Sequence, residues 1–149
     1  MRSAELSVGR IFVLRLETGE VIHEVLEKFA SDNHIKNATV SIVGGVDKGS
    51  KMVSGPHLPI IDGKIDPYIH TVEKESEVTG FGTIFCDENG TPIFHMHGSA
   101  GREGGSSTGC FRAGMIAWLV LEVVVTELIG TGPVRKTDLA TGFKILEIE

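Results

Sequence analysis

Thr83–His97 reads TIFCDENGTPIFHMH: two short apolar stretches on either side of an Asp-Glu-Asn-Gly turn. Asn89-Gly90 can adopt the positive φ that tight hairpins require, so Ile93–His97 is expected to pair antiparallel with Thr83–Cys86. On the second of these strands the side-chain period of two separates two faces. Phe94 and Met96 point into a core, and His95 and His97 project together from the other side, their α-carbons about 6.6 Å apart.

Outward from this hairpin, most of the chain reads as strand. Val8–Leu16 combines β-branched and aromatic residues and ends at the Thr18-Gly19 turn. Ala38–Val46 is a second strand, in which Gly44-Gly45 marks a bulge or a close backbone approach. Tyr68–Glu75 and Val78–Cys86 follow, the valine-rich run Leu119–Ile129 reads as a central strand, and Gly142–Glu149 closes the chain as a final one. One segment has a different period. Val21, Ile22, Val25, Leu26, Phe29 and Ala30 recur at helical spacing, with Glu24, Glu27, Lys28 and Ser31 on the opposite face, which predicts an amphipathic helix to about Asn33. Between Gly49 and Asp66, the pairs Gly55-Pro56, Leu58-Pro59 and Asp62-Gly63 predict short strands joined by tight turns. Gly98–Gly114 is read as a glycine-rich loop.

A chain of 149 residues fits one domain spanning 1–149 and can bury a proper core. Its hydrophobic fraction of 41% and charged fraction of 23% exclude a disordered or collagen-like chain. The net charge of −6 opposes binding to a phosphate backbone, and no Lys/Arg cluster with interleaved aromatics offsets it. Arg15 breaks the apolar run Ile11–Leu14, so no export signal is read. Glu122 cuts the run Met115–Leu121 far short of the roughly 20 residues a membrane helix needs. These features lead to the expectation of a soluble cytoplasmic protein without a membrane segment, in which Cys86 and Cys110 are reduced thiols or metal ligands.

His95 and His97 alone are weak grounds for a metal, because any strand with a polar outer face can carry them. Cys110 adds a thiol just beyond the glycine-rich segment, where the chain has turns enough to fold back over the preceding strand. Two imidazoles and a thiolate suit zinc, with nickel, copper and ferrous iron also compatible. Three protein ligands leave a fourth position open to water or a small molecule, the arrangement of catalytic rather than structural zinc. Glu122, a carboxylate inside an apolar run, has two readings: a proton-transfer or hydrogen-bonding group near the metal, or a residue on a solvated or subunit-contact face. Arg102, in a glycine-rich run that lacks a P-loop ending, either pairs with an anionic ligand or is simply solvated. His23, His34, His57 and His70 have no paired spacing and read as surface or turn residues.

Taken in order, Gly9-Arg10, the amphipathic helix, Gly44-Gly45, His95-Met96-His97 and Gly109-Cys110-Phe111 leading to Glu122 resemble the PPC domain over nearly the whole chain. That family's last motif usually reads Gly-His-Leu with a glycine three residues later; here Gly114 keeps that spacing and Cys110 stands at the histidine. The resemblance implies an α+β fold, with an antiparallel, barrel-like sheet and one main amphipathic helix, assembled as a homotrimer. Plant members bind DNA through appended AT-hooks; no Arg-Gly-Arg-Pro hook occurs here, so nucleic-acid binding is not carried over. The order His-x-His followed by a later ligand also resembles the zinc site of α-acetolactate decarboxylases, a related fold. The reading is therefore a zinc-binding, homotrimeric PPC-domain protein that accepts a small molecule at the open metal position. The alternatives are a zinc-dependent lyase or hydrolase of a small carbonyl compound with Glu122 as its catalytic acid or base, a DNA- or protein-interaction module, and a nucleophilic Cys110.

Overall fold

Alternating apolar and polar residues, the pattern of a sheet with one packed face, run through most of the chain. The computed structural model describes residues 1–58, 65–139 and 141–148. Within them run β1 (Ser7–Leu16), α1 (Ile22–Asp32), β2 (Asn37–Val46), β3 (Lys51–Pro56), β4 (Pro67–Thr71) and β5 (Ser76–Cys86). Then come β6 (Pro92–Arg102), β7 (Gly105–Cys110), a 3-10 turn at Phe111–Ala113, β8 (Ala117–Ile129), β9 (Pro133–Thr137) and β10 (Lys144–Ile148). Eight strands form one antiparallel sheet in the order β1-β8-β2-β5-β6-β7-β3-β4, while β9 and β10 pair as a separate ribbon. β1 and β4 stand at opposite ends of that order, so the sheet of this α+β fold does not close.

The inner face carries Val40 of β2, Ile84 of β5, Met96 of β6 and Leu121, Val123 and Val125 of β8, all buried. α1 lays Ile22, Leu26 and Ala30 into the same cluster. Each large aliphatic side chain removed from water there contributes roughly 1.5–3 kcal/mol. The helix starts without a side-chain cap; instead the Ile22 N–H donates to the Met115 carbonyl at 2.9 Å, which ties its first turn to the segment before β8. At its far end, Arg10 of β1 donates to the Asn33 carbonyl at 3.0 Å.

The expected antiparallel hairpin forms, with Thr83 opposite His95, Cys86 opposite Pro92 and His97 opposite Phe81, and Gly90 takes φ 80° in its turn. The close approach expected at Gly44-Gly45 is also present. The β2–β8 register shifts between these two residues, and a β-carbon on Gly44 would overlap the Val120 backbone.

Gly98–Gly114 is not a loop. β6 continues to Arg102, Glu103-Gly104 make a two-residue turn with φ 54° and 83°, and β7 returns alongside. Glycine supplies both the positive φ of such a turn and the close backbone approach of Gly98, so glycine-rich composition is compatible with strand here. The strand expected over Tyr68–Glu75 is Pro67–Thr71, and the ribbon strand β9 was not anticipated. Of the turn pairs read between Gly49 and Asp66, Pro59 and Asp62-Gly63 lie outside the described residues, as does Glu149 at the end of the final strand.

Candidate metal centre

β6 and β7 place the three donors by register alone. His95 and His97 sit two apart on β6, and Cys110 pairs directly across from His97 on β7. Cross-strand partners on one face hold their β-carbons about 4.5–5.5 Å apart, which sets the thiol beside the imidazole. One ligand atom from each of His95, His97 and Cys110 lies within 4.8 Å of the others. Tetrahedral zinc with nitrogen at about 2.0–2.1 Å and sulfur at about 2.3 Å needs donor separations of about 3.3–3.6 Å. Side-chain rotations of roughly an ångström therefore close the set, and its chemistry fits a borderline-soft divalent ion. The two imidazole rings stand 5.1 Å apart at 89°.

The surroundings are cationic. Arg112, in the 3-10 turn after β7, donates its Nε to Cys110 Sγ at 3.1 Å. Arg135 of β9 approaches His95 Nδ1 at 3.4 Å and Thr83 Oγ1 at 3.3 Å. Burial first, then the charges of Arg135 and Arg112, hold His95 below the ordinary imidazole value, which favours the neutral, ligating ring. A guanidinium can only donate, so in the Arg135 contact Nδ1 carries the lone pair and Nε2 the proton. Ligation through Nε2 would reverse that tautomer and leave Arg135 to Thr83 and to whatever else enters the site.

Two cavities flank the donors. One, of about 380 Å³, is lined by His97 and Cys110 together with Val53, Pro56, Ile65 and Phe143. The other, of about 340 Å³, is lined by His95 with His23, Glu27, Arg135 and Lys144. Arg112 and Phe143 belong to both.

Glu122 is not brought into this group. It lies on the same outer face, but the register Ser99–Thr79–Val43–Glu122 puts it three strands from β6, about 14 Å at the usual strand spacing. It is exposed, opposite Arg15 of β1. Arg102 is solvated and donates to the Glu75 carbonyl at 2.6 Å. Cys86 is partly exposed, and burial followed by the Asp87 carboxylate pushes its thiol above the ordinary value, so it is a poor nucleophile. His34 sits in a turn with φ 56°, as expected. His23 departs from its surface reading, since its Nδ1 is buried with no partner among the described residues. Arg112 and Arg135 were not anticipated.

Among the described residues, no helix is long and apolar enough to cross a membrane. The model of the Plants and Prokaryotes Conserved domain matches residues 3–129. No curated protein matches the chain. Among solved structures, it is similar to a metal-containing protein of Archaeoglobus fulgidus, 26% identical, with 98% of this chain and 99% of that one covered and a TM-score of 0.80. A plant- and prokaryote-conserved protein of Pyrococcus horikoshii is 23% identical over 99% and 97%, with a TM-score of 0.82. A candidate DNA-binding protein of Ralstonia eutropha is 20% identical over 92% and 90%, with a TM-score of 0.69. The family model spans most of the chain, which belongs to the plant- and prokaryote-conserved (PPC) domain family.

Proposed function

We propose that this chain is a metal-binding PPC-domain protein in which His95, His97 and Cys110 hold one divalent transition metal, zinc by the character of the donors. The observation that carries this reading is the convergence of three ligand atoms within 4.8 Å on adjacent strands. The Archaeoglobus protein's description as metal-containing supports it. Such a metal, with its fourth position open, would supply Lewis-acid polarisation of a carbonyl or a bound water of lowered pKa. Metal analysis of protein purified without a nickel column should return about one equivalent, and Cys110→Ala should lose it. Metal-free native protein, or a variant with unchanged content, would refute the assignment.

A zinc-dependent lyase or hydrolase of a small carbonyl compound is the enzymatic form of this reading, and the two cavities beside the donors favour it. Chelator-sensitive turnover in a panel of esters, lactones and small keto acids is its test, and chelator-insensitive turnover would count against it.

The homotrimer is part of the same proposal. Val13, Val124, Ser41, Phe81 and His97 form one cross-strand row on the outer face, where Val13 is 76% and Phe81 64% exposed. Exposure of Val13, Val124 and Phe81 along one row is the mark of an association surface. The number three rests on the family resemblance, and a role for Glu122 in proton transfer would require association to bring it to another copy's metal group. Light scattering should report a trimer that Phe81→Glu dissociates. The acidic chain, at −6, gives DNA binding no comparable support. A cytoplasmic setting, which keeps both thiols reduced, goes with the whole reading.

A further inference from the structure

We propose that Arg112 and Arg135 form a carboxylate-recognition site beside the metal group, and that the ligand is a small carboxylic acid whose apolar body fills the neighbouring cavity. This deepens the metal-binding reading and rests on it for the position of the ligand's remaining polar groups. Arg135 is 7% exposed yet lines the 340 Å³ cavity, and its Nε has no hydrogen-bond partner among the described residues. Its other contacts are long and to neutral groups: Thr83 Oγ1 at 3.3 Å, the Lys144 carbonyl at 3.4 Å and His95 Nδ1 at 3.4 Å. Among the described residues, neither Arg112 nor Arg135 forms an ion pair with a carboxylate.

Two other charged side chains line this cavity. Lys144 Nζ is held by Asp87 at 2.9 Å, and Glu27 accepts the Phe94 N–H at 2.9 Å. A buried cation without a counter-charge is costly, and a second guanidinium lining the same cavity raises that cost. A planar carboxylate meets the guanidinium fork in a bidentate manner and would relieve both. Glu27, which lines the same cavity, disfavours a phosphate dianion. The second cavity, shared through Arg112 and Phe143, adds Val53, Pro56, Ile65 and Pro67, surroundings for an aliphatic body. Arg135 and Phe143 both lie beyond residues 3–129, the stretch that the family model matches.

Calorimetric titration of the zinc-loaded protein with hexanoate, hexanamide and inorganic phosphate tests the assignment, with metal content and the melting curve recorded for every variant. Hexanoate should bind, hexanamide and phosphate should be weaker by about tenfold or more, and Arg135→Met and Arg112→Met should each weaken hexanoate by a similar factor with zinc retained. Equal affinity for hexanoate and hexanamide, tighter phosphate binding, or arginine variants that bind hexanoate as well as the parent would overturn it. If the native protein holds no metal, the metal reading fails on that measurement alone. The same hexanoate titrations on the metal-free protein and its arginine variants then decide the carboxylate site separately.

Discussion

Two arginine sites in this molecule are built to different standards of completeness. On β1, Arg10 meets Glu127 of β8 through Nε at 2.7 Å and Nη2 at 2.8 Å, and the Arg10 backbone N–H adds a third bond to the same carboxylate at 3.2 Å. Its Nη2 also holds the Asn33 carbonyl beyond the helix, so a buried carboxylate is fully answered by the chain itself. Near the donors, Arg135 is as buried as Glu127 but has only long, neutral contacts, and the exposed Arg112 has a thiol. The first site closes the fold; the second is finished only when something the chain does not supply arrives. Buried charges are tolerated when paired, so the unpaired ones mark where function has taken precedence over stability.

The largest expected effect tests the unfinished site. Cys110→Ala removes the one sulfur donor and leaves two imidazoles, one of them exposed, so stoichiometric metal should be lost while the circular dichroism of the sheet is unchanged. Retention of a full equivalent after dialysis against chelator would erase the distinction between the two arginine sites, since the second would then surround no open centre.

An intermediate effect belongs to the finished site. Glu127→Gln should lower the melting temperature by roughly 3–6 °C at pH 7 and leave metal content unchanged. The hydrogen bond from Arg10 holds the Glu127 carboxyl below the ordinary glutamate value, against the smaller opposing effect of burial. A carboxyl depressed in the folded state stabilises above its unfolded pKa, about 4.3, and that stabilisation fades as pH falls through the lower folded value. The gap between parent and variant should therefore persist at pH 6 and narrow below about pH 4, as scanning calorimetry would show. A pH-independent gap would mean that shape, and not charge, carries the pair.

How much of this could be read from the sequence differs between the two halves of the β6 environment. The β5–β6 hairpin was legible because Asn89-Gly90 has few other uses between apolar alternations, and the shared face of His95 and His97 follows from a period of two. Cys110 is legible as a candidate ligand, but it reaches His97 through a strand register and not through a folded-back loop. That register is set by Glu103-Gly104, a weaker turn signal than Asn-Gly, hidden among other glycines. Glu122 drew attention as a carboxylate in an apolar run. The run is apolar on both faces because Val120 and Val124 are exposed with it, so the carboxylate is not buried at all. Arg135 was missed because its approach to His95 spans 40 residues. The only local signal was Pro133 after Gly130 and Gly132, which marks a strand start without saying what the strand covers.

The smallest expected effect sharpens the contrast most. Arg135→Met keeps an unbranched apolar stem against the Phe85 ring, which the guanidinium now overlies at 5.9 Å, and removes a charge whose Nε is unpaired. The contacts given up to Thr83 and Lys144 are long and weak, while the cost of keeping a desolvated cation disappears. The melting temperature should accordingly change by less than about 2 °C in either direction, well below the loss at Glu127. A drop as large as that of Glu127→Gln would show that Arg135 is a structural group like Arg10, and the two arginine sites would then be alike.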